Sequence, residues 1–305
     1  MALTYDKNAS VNNALEKAKQ AAQGRSLTQD AIRRFRRNKL AMGSVYVFLF
    51  LLLIAIIGPF VWPYGFDEVF WDSISAAPKG EGMHYFGFDV NGRDMIARCI
   101  SGLGTSLIVA SIATSVSIVV GVSYGAISGY LGGRIDEMMM RFVDVMYALP
   151  YILFIILLQV IFGRSLFLLF IGIGLLEWIT MARIVRGQTL TIKEKEFIEA
   201  AKAAGRSPMQ IVFQHIVPNL IGPVVIYATL TIPEIILTES FLSFIGFGVQ
   251  ESDGASLGTL INEGADKIGV YWWMFFFPAG ILITLLFSLI FIGEGLRDAF
   301  DPKDR

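Results

Sequence analysis

The sequence predicts an all-α polytopic membrane protein with six transmembrane helices and both termini in the cytosol. Three observations carry this reading. The 305 residues are 54% hydrophobic and only 17% charged, against roughly 45–50% and about 25% in soluble domains. Mean hydropathy is +0.60. The charges are also segregated, so that uncharged stretches long enough to cross a bilayer alternate with short charged ones. A soluble enzyme, a disordered chain and a nucleic-acid binder all fit this composition poorly. With 26 acids against 25 bases, no net field steers the chain to a polyanion.

Residues 1–39 are polar and basic and hold nine of the 25 Lys and Arg. No apolar run follows the first Met closely, so no cleaved signal peptide is expected. Ser26 and Gln29 have the spacing of a capping box. Leu27, Ala31 and Phe35 then recur every four residues among Arg33, Arg34, Arg36 and Arg37. This fits an interfacial helix on the inner leaflet, or a plain basic anchor for the first span.

Leu40 to Phe66 is uncharged over 27 residues and places the first span at about 40–62. Residues 63–97 follow as the largest external segment, with Pro63, Pro78 and six acids. Cys99 to Gly133 is uncharged over 35 residues and gives a second span at about 100–130. That is too long for a perpendicular helix, which must tilt or project. Gly121, Gly125, Gly129 and Gly133 repeat every four residues there and predict one close-packing face. The third span is placed at 141–162, with Asp144 near its inner end, and the fourth at 166–186 with Glu177 near its middle. The fifth, at 219–244, carries Pro233, Glu234 and, nearer its outer end, Glu239. Ile268 to Gly293 is uncharged over 26 residues and holds the sixth, at about 272–293.

Lys and Arg alone set the orientation. With the N-terminus inside, cytosolic segments carry 20 of the 25 and external ones 5. Carboxylates inside a membrane cost about 2.5–3.5 kcal/mol at its centre on insertion scales. Glu177, Glu234 and Asp144 are therefore candidates for a translocation path, against the plainer reading of interhelical hydrogen bonds.

Residues 187–218 form the largest internal cytosolic segment. Lys193 to Ala204 is rich in strong helix formers, and Gly205 supplies a stop. Ser207, Pro208 and Gln210 then read as N-cap, first helical position and the partner of a second capping box, opening a helix that runs to about Val217 before Pro218. A doubly capped helix–Gly–helix in place of a short turn suggests a docking surface.

Much chemistry is absent. There is no phosphate-binding G-x-x-x-x-G-K-[ST] and no H-E-x-x-H or C-x-x-C. Cys99 is the single cysteine, and His84 and His215 lie far apart in sequence, so neither a metal site nor a catalytic residue is expected. Gly254 to Gly258 matches G-x-S-x-G around Ser256, but that elbow requires a strand before it and a helix after it. Here it follows a polar stretch between two spans.

Glu199, Ala200 and Ala201, then Gly205, then Pro218, resemble the EAA signature of membrane subunits of ABC importers. His215 and Val217 stand where that pattern has Ile and Leu. The run Tyr85 to Asp94 resembles the external segment of C-type permeases of the dipeptide and oligopeptide branch, with Phe88 in place of the usual Thr. Residues 129–133, 241–246 and 293–302 are similar to the same branch.

The resemblance implies a type I ABC importer permease fold. Its core would be residues 98–293, with the coupling loop at 187–218, a first helix and external loop at 40–97, and cytosolic segments at 1–39 and 294–305. It implies a second homologous permease, two cytosolic ATPases that bind ATP and Mg, an external peptide-binding protein and a peptide substrate, in a bacterial inner membrane. Glu199, Ala200, Ala201, Gly205, Ser207, Pro208, His215 and Pro218 would couple to the ATPase. This chain would carry no cofactor of its own and contact lipid but no nucleic acid. A secondary transporter using Glu177 and Glu234 as a proton relay, and an intramembrane enzyme, are the rival readings. The first lacks internal repeats, and the second lacks a nucleophile–base pair or a metal cluster in the spans.

Overall fold

The computed structural model describes residues 27–249 and 254–300. The capping box expected at Ser26 and the end of the tail matching the peptide-permease branch lie outside them.

Helix α1 (Leu27–Arg37) is short and basic. Asn38 separates it from α2 (Lys39–Val61), accepting the Leu40 and Ala41 N–H groups at 3.1 Å as N-cap. The external segment holds two short 3-10 turns, Trp71–Ser73 and Glu81–Met83, and isolated antiparallel bridges at Val69–Arg93 and Phe88–Asp94. Asp94 then caps α3 (Met95–Leu131), taking the Ala97 N–H at 2.8 Å. Next come α4 (Gly133–Tyr147), α5 (Tyr151–Phe162), α6 (Leu166–Ile192) and α7 (Glu196–Ala203). The second half comprises α8 (Pro208–Ile211), a π turn at Val212–Ile216, α9 (Val217–Phe244), α10 (Leu257–Ala265) and α11 (Trp273–Phe300).

Among the described residues, five helices are long and apolar enough to cross a membrane: α2, α3, α6, the continuous α8–α9 and α11. The sixth crossing is the pair α4 and α5, bent by 76°. The single straight third span expected at 141–162 is therefore corrected. Pro150 disfavours helical geometry at Leu149, and the chain breaks there. The 12 residues of α5 rise only about 18 Å, short of a hydrocarbon core of about 30 Å, so α5 needs α4 to complete the crossing.

Helix α3 packs along α6 over much of its length and forms the centre of the molecule with α9. Ala110, Ala113, Leu169, Ile173, Ile235 and Ile236 fill that centre. Backbones come this close because of glycine. A Cβ built on Gly121 would lie 2.6 Å from Met181 Cβ, and one on Gly129 2.9 Å from Arg186 O. One on Gly125 would run into the carbonyl oxygen of Ala182. Gly133 does not share this face. Gly132, at φ +66°, ends α3, and Gly133 opens α4 at φ +57° with nothing within 4 Å of its Cβ position. The four-residue repeat runs past the end of the helix that gave it meaning.

Contacts sort to two ends, as alternate crossings require. Arg98 meets Glu263 and Phe88 meets Trp273 at one end. Lys193 meets Gly129, and Arg186 meets Asp136, at the other.

Candidate functional site

The segment between α6 and α9 forms a compact hairpin against the inner end of α3. Lys195 is the N-cap position of α7, which ends at Ala203, and Gly205 turns the chain at φ +76°. No atom lies within 4 Å of a Cβ at Gly205, so the backbone sign, not crowding, calls for glycine there. Ser207 and Gln210 make the expected capping box, with Ser207 N–H donating to Gln210 Oε1 at 3.0 Å. The second arm does not stop before Pro218. It passes through the π turn into α9, where the Val217 N–H donates to the Val212 carbonyl five residues back. Pro218 lacks an N–H and its ring crowds the carbonyl four residues earlier, and the wider turn before it relieves both problems. His215 sits half-buried in that turn, its carbonyl accepting from Asn219 Nδ2 at 2.7 Å.

The hairpin has two faces. Ile198, Ala201, Ile211, Val212 and Ile216 are buried against Val122 and Ala126 of α3 and Met181 and Val185 of α6. Lys193 Nζ donates to the Gly129 carbonyl at 3.1 Å, and Lys202 lies 5.8 Å from the Tyr130 ring centroid. The opposite face presents Glu199, Ala200, Gly205, Ser207, Pro208 and Pro218, all exposed. Phe197, Met209 and Phe213 are exposed among them at 42, 41 and 49%. Of the EAA residues only Ala201 points inward.

Within the spans, Glu177 of α6 and Glu234 of α9 line one cavity of about 560 Å³ with Tyr147, Tyr151, Thr180 and Thr238. Among the described residues, no Lys, Arg or His lines it. Asp144 is not among the lining residues. It accepts from Arg183 at 2.7 Å, and that guanidinium lies 4.2 Å from the ring centroid of Tyr147, which does line the cavity. Glu239 is fully buried and satisfied by serines, Ser106 on α3 at 2.9 Å and Ser243 at 2.7 Å.

At the outer end a charge cluster ties the external segment to the core. Asp89, fully buried, accepts from Arg93 Nε and from Arg98 at 2.7 Å each, and Arg98 also grips both carboxylate oxygens of Glu263 on α10. His84 meets Asp94 at 2.7 Å and stacks on Tyr64 with ring centroids 4.4 Å apart. Phe88 closes this aromatic group beside Phe70 and His84. Sequence reasoning placed Asp89, Arg93 and Asp94 in one segment but missed Arg98 and Glu263, which lie 165 positions apart. Ser256, centre of the G-x-S-x-G match, is a buried N-cap of α10 in a capping box with Thr259. Gly254 and Ala255, the described residues directly before it, form no strand, and the side chain is spent on the cap.

Residues 121–305 match the family described as binding-protein-dependent transport system inner membrane component. Residues 26–78 match the N-terminal transmembrane domain of oligopeptide transport permease C. The chain is 47% identical over its whole length to the oligopeptide transport system permease protein OppC of Escherichia coli, all of which it covers. It is 47% identical to the protein of that name from Haemophilus influenzae, over 93% of this chain and 91% of that one. A dipeptide transport system permease protein, DppC of Bacillus subtilis, is 41% identical over 92% of this chain and 87% of its own. Among solved structures, an inward-facing form of the MetNI methionine ABC transporter aligns with a TM-score of 0.53 at 20% identity. That alignment covers 67% of this chain and 97% of the other and shares the fold.

Proposed function

The chain belongs to the family of binding-protein-dependent transport system inner membrane components, and from that premise we propose how it works as the membrane permease of an oligopeptide ABC importer. It forms half of a peptide path with a second, homologous permease. Two cytosolic ATPase subunits bind ATP and Mg and drive it, and an external binding protein delivers peptide to the outer surface. The chain itself binds no nucleotide. It sits in the bacterial inner membrane as a multi-pass protein.

The observation that carries the mechanism is the two-faced hairpin. Its inner face is fused to α3 and α6 by packed Ile, Val and Ala, while its outer face leaves Phe197, Met209 and Phe213 uncovered around Glu199. Apolar side chains in such numbers on a cytosolic turn call for a protein partner. An ATPase that grips this face and rotates moves α3 and α6 with it, because no flexible layer intervenes. The cavity with Glu177 and Glu234 lies farther along α6, between it, α9 and the α4–α5 bend, where it serves as part of the path. Asp144, through Arg183 and Tyr147, shapes its inner rim.

Peptide uptake into membrane vesicles, protein abundance and peptide-stimulated ATP hydrolysis test this. Gly205→Val forces a β-branched residue into positive φ, and Glu199→Lys reverses an exposed charge. Both are expected to abolish uptake and stimulated hydrolysis at normal abundance. Gly205→Asn, which tolerates that backbone, should retain substantial uptake. Wild-type uptake in both Gly205→Val and Glu199→Lys would make the hairpin a mere linker.

A further inference from the structure

A groove runs between α2 and α11, lined by none of the hairpin or carboxylate-cavity residues. It holds about 530 Å³ and is lined by Leu40, Gly43 and Val47 of α2 and by Ile283, Phe287 and Phe291 of α11, with Lys39 at its cytosolic mouth. Two of its polar liners, beside Ser44, turn inward on their own helix: Thr284 Oγ1 donates to the Gly280 carbonyl and Ser288 Oγ to that of Leu285. From Lys39 to Val47 it descends about 12 Å at 1.5 Å per residue. That is most of one leaflet of a hydrocarbon core of about 30 Å.

We propose that this groove is a binding site for one anionic phospholipid of the inner leaflet, with an acyl chain between α2 and α11 and the phosphate at Lys39. Charge and depth select the occupant. Arg36 and Arg37 are exposed at the end of α1, within three residues of Lys39. Ala31 is buried, and Phe35 of α1 packs close to Gly295 of α11, which fixes the basic helix beside the groove mouth. Cations at the cytosolic surface over an apolar cleft of one-leaflet depth match a negative headgroup joined to a hydrocarbon tail. A soluble anion would leave the apolar part empty, and a zwitterionic lipid would gain little from three cations. The groove volume lies within the usual range of small-molecule sites, about 300–1,000 Å³.

Gly43 supplies the test. It lines the groove and has no atom within 4 Å of its Cβ position, so Gly43→Leu projects a side chain into the cleft. The complete transporter, purified in mild detergent, is mixed with phosphatidylglycerol or phosphatidylcholine of equal chain length, and retained lipid is counted by native mass spectrometry. Wild type is expected to retain phosphatidylglycerol preferentially. The triple variant Arg36→Gln, Arg37→Gln, Lys39→Gln should bind it about fivefold more weakly per charge removed and lose the preference. Gly43→Leu should lose retention of both lipids. Equal retention of the two lipids by wild type would overturn the proposal, as would undiminished phosphatidylglycerol in either variant. So would a cross-link from a cysteine at position 43 to the second permease, since a protein helix would then cover the groove.

Discussion

Exchanging glycine for alanine at two positions of the central helix pair should give opposite signs. Gly125 is on α3 and Gly187 is on α6. Alanine gains about 1 kcal/mol of helix stability over glycine at either place. At Gly187 nothing lies within 4 Å of the new methyl, so the gain stands. At Gly125 the methyl meets the Ala182 carbonyl, Val185 Cβ at 2.9 Å and the Arg186 nitrogen at 3.0 Å. Two of these three atoms are backbone and cannot rotate away. Overpacking costs about 1–3 kcal/mol, so Gly125→Ala should be net destabilising by about 1 kcal/mol. The variants then differ by about 2 kcal/mol, or about 3 °C in Tm for a chain of 305 residues. Cys99 provides the assay: it is the single thiol and is 2% exposed, so a thiol-reactive dye reports its release on heating in detergent. A Tm for Gly125→Ala at or above that of Gly187→Ala would refute backbone-close packing of α3 on α6.

Two further outcomes are expected. Arg98→Ala removes the cation between buried Asp89 and Glu263, and breaking such a pair costs about 3–5 kcal/mol; Glu263→Gln, at the more exposed end, should cost less, with dye reactivity of the neighbouring Cys99 as readout. In a background lacking Cys99, an impermeant maleimide applied to intact spheroplasts should label a cysteine at Met83 but not one at Lys195, and the reverse pattern would invert the topology.

What the sequence made legible was local or periodic. The apolar runs located the spans because a bilayer sets their length, while the direction that Lys and Arg predict rests on the maleimide test. Ser207, Gln210 and Gly205 revealed the hairpin because caps and positive φ are demanded within three or four residues. The glycine repeat marked a close-packing face without naming α6 as its partner, and it overran at Gly133, since periodicity cannot see where a helix ends. Pro150 carried a signal for the broken third span, yet the apolar run across it masked the break. Arg98 with Glu263, and Glu239 with Ser106, were illegible because their partners are brought together only by the packing of distant helices.

The distribution of stiffness bears on how the proposed coupling acts. Helix α3 runs without an internal proline from the Arg98 clamp to the contact with Lys193, and its glycine face brings its backbone directly against α6. Those two helices should therefore move as one block. Helix α9 is built differently: a π turn opens into it, and Pro223 and Pro233 interrupt its hydrogen-bond ladder. Pro233 immediately precedes Glu234 of the cavity. Each missing N–H lets a helix bend at low cost. A rotation applied at the hairpin would thus reach Glu177 rigidly through α6 and Glu234 through a jointed arm, so the two carboxylates would shift relative to each other. A cavity with one stiff wall, α6, and a jointed one, α9, closed by the α4–α5 bend, changes width when its base turns, which is what alternating exposure of a peptide path requires.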